Sequence, residues 1–149
     1  MNKITTFLWF DNQAEEAAAF YTSIFKDSKI GTVTPGPKGR AMTVSFELSG
    51  QKFVALNGGP HFKFTEAISF FVHCENQQEV DYYWNKLSPD GEGQCGWLKD
   101  KFGVSWQIIP GILTEMMQDK DPQRAQRVTK AMMRMKKIDI AALEAAYRG

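Results

Sequence analysis

Residues 69–87 read SFFVHCENQQEVDYYWNKL, and residues 6–24 read TFLWFDNQAEEAAAFYTSI. Aligned with a shift of 63, Phe7 meets Phe70, Leu8 meets Phe71 and Trp9 meets Val72. Further along, Glu16 meets Glu79, Ala17 meets Val80, Phe20 meets Tyr83, Tyr21 meets Trp84 and Ile24 meets Leu87. Each copy starts with an apolar, aromatic run suited to a buried strand. Apolar residues then recur at i, i+3, i+4 and i+7, the spacing of one helix face. The pattern predicts a strand followed by a helix, used twice. Asn12, three residues ahead of Glu15, is the predicted N-cap of the first helix.

The segments behind each helix also correspond. After the first come SKIGTVT (28–34), AMTVSFELSG (41–50) and QKFVALNGG (51–59), three strand candidates divided by Gly/Pro turns. Met42, Val44, Phe46 and Leu48 alternate with polar residues, as in a half-buried strand. After the second come GQCGWLKDKFG (93–103) and VSWQIIPG (104–111), where a shift of 53 sets Gly50 on Gly103, Phe53 on Trp106 and Leu56 on Ile109. The expected fold is α+β, with two βαβββ modules at about 4–58 and 67–111. Their curved sheets each carry a helix on the convex side and enclose a central cavity, where a ligand would sit. A helical tail over about 112–149 completes a single domain.

The seam between the copies, LNGGPHF (56–62), has a Gly-Gly and one of the two histidines. The glycines lead into Pro60 and a further strand rather than a helix N-terminus, so they make a turn and not an anion cradle. His61 falls in the linker.

The bulk numbers fit this frame. At 149 residues and 43% hydrophobic content the chain can bury one sizeable core. No apolar stretch is long enough to span a bilayer, and the N-terminus lacks a signal-peptide pattern, so the expected location is cytoplasmic. There Cys74 and Cys95 would be free thiols. The net charge of +1 is uneven, with eight Lys/Arg against four Asp/Glu in residues 118–149. No aromatic interleaves those basic residues before Tyr147, so they read as a solvated helix face and not as a nucleic-acid platform. Asp121-Pro122 and Asp139 predict helix starts in the tail. The stripes Val128, Ala131, Met132, Met135 and Ile140, Leu143, Tyr147 must bury either on their own domain or against a second copy. A homodimer is expected.

The stretches LNGGPHFKFTEAISFFV, GQCGWLKDKFGVSWQIIP and FYTSIF resemble the PhnB-like family, labelled 3-demethylubiquinone-9 3-methyltransferase. That family is a branch of the vicinal oxygen chelate superfamily of glyoxalase I, extradiol dioxygenases and bleomycin-resistance proteins. The resemblance covers most of the chain, tail included. It implies metal ligands near the start of the first strand and in the last strand of each module. Those slots fall near Thr6, Val54, Ser69 and Gln107. Two hydroxyls, a valine and an amide are a poor donor set for a divalent cation, which takes imidazole, carboxylate or thiolate. No resident cofactor is therefore expected, a displaced divalent metal being the alternative. The strand–glycine loop–helix element of a methyl-donor site is absent from the sequence.

The ligand-lining residues expected from strand parity and the resemblance are Thr6, Leu8, Phe10, Leu56, Ser69, Phe71, His73, Trp97 and Gln107. His73 either looks into the cavity with Ser69 and Phe71 or caps the strand end in solvent. Cys74 points the other way, into the core. Cys95 is either an activated nucleophile or an inert thiol. The expected function is small-molecule binding on this fold. The alternatives are a diverged lyase or dioxygenase, the methyltransferase of the family label, or a drug-sequestering protein.

Overall fold

The computed structural model describes residues 3–149, which fall into two compact units, one ending at Phe64 and the other starting at Thr65. In the first unit β1 (Thr6–Phe10) leads into α1 (Ala14–Ile24), followed by β2 (Lys29–Pro35), β3 (Ala41–Leu48) and β4 (Gln51–Asn57). The strands form one sheet in the order β1-β4-β3-β2, with β1 and β4 parallel and the other pairs antiparallel. Alternation along β3 buries Val44, Phe46 and Leu48, as their spacing predicts, and leaves Met42 at the exposed end. α1 covers that face: Tyr21 stacks on Phe46 with ring centroids 6.1 Å apart, and Phe46 stacks on Phe53 at 5.2 Å. Leu8, Phe10 and Ala55 complete this core.

α1 is capped from a distance. Its N-cap is Gln13, whose side chain makes no capping bond, whereas Asn12 is the cap expected from the sequence. The orphan amide of Ala14 instead donates to Asn57 Oδ1 at 2.8 Å, from the end of β4. Asn57 Nδ2 in turn donates to Glu15 Oε1 and to the Ala41 carbonyl, and the Ala41 amide donates to Glu15 Oε2. One amide side chain thus ties the helix start to two strands. Beyond it, the Gly-Gly turn has a steric cause. A Cβ on Gly58 would lie 2.3 Å from the Trp9 ring, and the Trp9 indole donates to the Gly59 carbonyl at 2.9 Å.

The second unit repeats the theme with β5 (Ser69–Cys74), α2 (Gln77–Leu87), β6 (Trp97–Lys99) and β7 (Ser105–Pro110), in the sheet order β5-β7-β6. The expected fourth strand of this module is reduced to an isolated bridge between Gln94 and Trp97. α2 starts on Asn76, whose side chain accepts from the Glu79 amide, while Glu79 reaches back to the Glu75 amide at 2.7 Å. Its buried face is Val80, Tyr83, Trp84 and Leu87, packed on the side of the sheet that carries Val72, Cys74, Leu98, Trp106 and Ile108. Asp100, buried in the β6–β7 turn, accepts from the amides of Phe102 and Val104 and from the Trp106 indole.

The tail forms α3 (Gly111–Met117), α4 (Pro122–Met133) and α5 (Ile140–Arg148). Asp121 and Asp139 cap α4 and α5 as their positions predict. The tail packs within the second unit: Leu113, Val128, Ile138 and Leu143 are buried there. Met135 and Lys136 accept hydrogen bonds from the amides of Cys95 and Gly96. Gln77 bonds both the Ile138 carbonyl and the Ile140 amide. The tail therefore closes the edge where the shortened module lacks a strand.

Candidate functional site

Register decides which side chains share the open face of each sheet, because residues paired across neighbouring strands point to the same side. In the second unit Phe71 pairs with Gln107, which pairs with Trp97, while Ser69 pairs with Ser105 and His73 with Ile109. Ser69, Phe71, His73, Trp97 and Gln107 therefore lie on one face, opposite the α2 core. Gln107 Nε2 donates to Ser69 Oγ at 2.9 Å. The rings of Phe71 and His73 stand 4.7 Å apart, and Phe71 keeps 42% of its surface exposed. Lys99 and Glu66 form an exposed ion pair of 3.0 Å in the same unit.

The first unit does not follow this grouping. Thr6 pairs with Phe53, Leu8 with Ala55 and Phe10 with Asn57, so all three lie on the side covered by α1. Leu8 and Phe10 are 5% and 2% exposed. Leu56 pairs with Trp9 and sits on the opposite, open face. The expectation that Thr6, Leu8, Phe10 and Leu56 line one pocket is therefore corrected. The cause is a single residue of loop. Three residues separate β1 from α1, but only two separate β5 from α2. The helices are related by the shift of 63, whereas the strands before them are related by 64, and one residue reverses every side chain of a strand. The last strands keep the shift of 53, since Phe53 and Trp106 both face their helices.

With that correction Thr5, Phe7 and Trp9 are the counterparts of Ser69, Phe71 and His73, and Val54 is the counterpart of Gln107. Phe7, 60% exposed, was missed by parity counting. The signal that finds it is the distance from the last buried strand residue to the matching buried helix residue, Phe10 to Ala17 against the shorter Cys74 to Val80.

The four positions at which the resemblance implies metal ligands are thus threonine, valine, serine and glutamine. Two of them already satisfy one another through the Gln107–Ser69 bond. No oxygen of this set carries a charge, and among the described residues no group of three or more His, Cys, Asp or Glu is placed to hold a metal ion. This donor set does not fit a divalent cation.

Both cysteines are engaged. Cys74 is buried, its thiol lies 3.7 Å from the Val72 carbonyl, and burial pushes its pKa up to about 12. It is a core thiol, inert at neutral pH. Cys95 accepts from Gln94 Nε2 at 3.5 Å and sits at a φ of 57°, held by its amide bond to Met135. His73 is exposed at the end of β5 and lines a hollow with Glu75 and Glu115. The amides of Gly58 and Gly59 donate to the carbonyls of Phe10 and Asp11, so the Gly-Gly turn presents no free donors to a phosphate.

Residues 2–109 match the model of the family described as 3-demethylubiquinone-9 3-methyltransferase. A PhnB protein from Bacillus cereus is 36% identical, with a TM-score of 0.67 over 73% of this chain and 99% of its own. The fold also matches protein PA1353 from Pseudomonas aeruginosa at 17% identity, with a TM-score of 0.59 over 74% of this chain and 98% of that one. No curated protein matches the sequence.

Proposed function

Because the chain belongs to the 3-demethylubiquinone-9 3-methyltransferase family, the PhnB-like branch of the vicinal oxygen chelate superfamily, we propose that it binds a small organic molecule on the open face of its second sheet. Phe71 and Trp97 offer aromatic surface, and the Ser69–Gln107 pair offers one neutral donor–acceptor site. The observation that carries this reading is the 2.9 Å bond between Gln107 and Ser69. It puts an uncharged polar pair at the place where a metal-dependent relative needs ligating carboxylate or imidazole. A neutral aromatic compound with one amide or hydroxyl group matches such a face: the ring covers apolar area and the polar group exchanges hydrogen bonds with the amide. No metal takes part in this binding.

The methyltransferase of the family's description is the second reading, favoured by the match over residues 2–109. A methyl donor with a ribose and an adenine needs a loop of free backbone amides and an acidic partner, and the engaged Gly58 and Gly59 amides do not supply the first. The same proposal includes a homodimer, to which the exposed Ile4, Phe62 and Ile68 would contribute apolar surface.

Calorimetry separates these readings. In the presence of a chelator, benzamide and p-cresol are expected to bind, and Gln107→Ala to weaken them about tenfold, the loss of one well-made hydrogen bond. Binding of S-adenosylmethionine at micromolar concentration, with no response to the neutral aromatics, would instead establish the second reading.

A further inference from the structure

The open face of the first sheet carries a hollow of about 330 Å³ that involves a different set of residues. It is lined by Thr5 ahead of β1, by Lys29 and Gly31 on β2, by Ser45 on β3, and by Lys52 and Val54 on β4. A bulge shapes it. Ile30 pairs with Phe46 and Val33 with Val44, so β2 spends one residue more than β3 over the same stretch. Ser45 holds the bulge by accepting from the Thr32 amide at 2.7 Å. Gly31 keeps it open, because a Cβ there would lie 2.6 Å from Ser45 Oγ.

The charges at its rim are asymmetric. Lys29 pairs in register with Glu47, and Glu47 with Lys52, so one carboxylate stands between two ammonium groups on one face. Both lysines are exposed, and among the described residues neither takes part in an ion pair of 4.0 Å or less. The rim holds one surplus positive charge. Along the same face, away from the lysines, come Val54, then Leu56 and the exposed Phe7. The surface therefore grades from cationic and hydroxyl-bearing at one end to apolar at the other.

We propose that this hollow binds the carboxylate of a small organic acid, with Lys29 and Lys52 holding the anion and the Val54–Leu56–Phe7 strip receiving its apolar body. A single negative charge matches the surplus at the rim, and an aliphatic or aromatic body matches the strip. Glu47 opposes the anion and limits the affinity, so the site takes a monoanion in preference to a dianion. This site stands independently of the reading of the second sheet.

The test is a titration of the full-length, isotope-labelled chain with octanoate and with octanol, read by amide chemical shifts. Octanoate is expected to shift Gly31, Ser45 and Val54, and octanol to bind at least about tenfold more weakly, as the loss of a charge-assisted contact implies. The double variant Lys29→Ala/Lys52→Ala is expected to lose octanoate binding while keeping its native spectrum elsewhere. Glu47→Gln is expected to tighten it, and Gln107→Ala to leave it unchanged. Equal affinity for octanol and octanoate would overturn the proposal. So would undiminished octanoate binding in the double-lysine variant, no shift at Gly31, Ser45 and Val54, or a loss of octanoate binding in Gln107→Ala.

Discussion

On the proposed reading, Gln107 decides what the second sheet can hold. An amide at this position can donate to Ser69 and accept from a ligand, but it cannot neutralise a divalent cation. Replacing it by glutamate restores one charged oxygen beside Ser69 Oγ. Gln107→Glu is expected to weaken the binding of neutral aromatics and to produce at most millimolar zinc or nickel affinity, since the other three positions remain threonine, valine and serine. Metal titration by calorimetry reads this directly. Burial of Cys74 sets a second residue-scale expectation. Burial lifts the thiol from 9.0 to about 12, and the same desolvation raises Tyr83. Both groups hold their protons longer in the folded chain than in the unfolded one. The Cys74 contribution is intact below about pH 9 and is lost between pH 9.0 and about 12, and that of Tyr83 is lost as the pH rises above 10.0. Denaturant midpoints should therefore fall progressively across that window, and Cys74→Ala should flatten the decline.

At the scale of elements, the two strand–helix units were legible in the sequence because Ala17/Val80, Phe20/Tyr83, Tyr21/Trp84 and Ile24/Leu87 repeat at helical spacing. The buried faces of both helices follow that reading except at Phe20, which is half-buried while Ala18 is buried. The open faces of the first strands did not. A helix tolerates a displaced start, because its apolar stripe is more than one residue wide, whereas a strand with a period of two reverses outright. Thus Ser69, Phe71, Trp97 and Gln107 come together as parity suggests, while Leu8 and Phe10 go into the core. The cap of α1 was illegible for another reason: its partner, Asn57, lies 43 positions from Ala14. The tail adds a third lesson. Its caps could be read locally, but its role at the edge beside Gly96 depends on the missing fourth strand of the second module. A Cβ on Gly96 would lie 2.7 Å from Ile109 and 3.1 Å from Ile138, which shows how closely the tail is seated. Ile138→Ala is expected to cost about 3 kcal/mol, in the usual range for a fully buried isoleucine, and to loosen the segment that precedes Trp97. Urea denaturation followed by tryptophan fluorescence measures both effects.

For the molecule as a whole, the two units repeat one strand–helix–strand theme, with four strands in the first sheet and three in the second, and carry different open faces. The second presents an amide, a hydroxyl and aromatic rings, and the first presents lysines around a bulge. Family membership fixes the scaffold, and the side chains on these faces set what each can hold. Among the described residues no helix is long and apolar enough to cross a membrane. On the proposed reading the second sheet recognises its ligand without a metal. The most direct measurement is an amide-resolved titration of the full-length chain with benzamide in the presence of excess EDTA. Shifts concentrated at Ser69, Phe71, Trp97 and Gln107, unchanged when zinc or nickel replaces the chelator, are the expected result. Shifts at these residues that appear only after metal is added would overturn metal-free recognition.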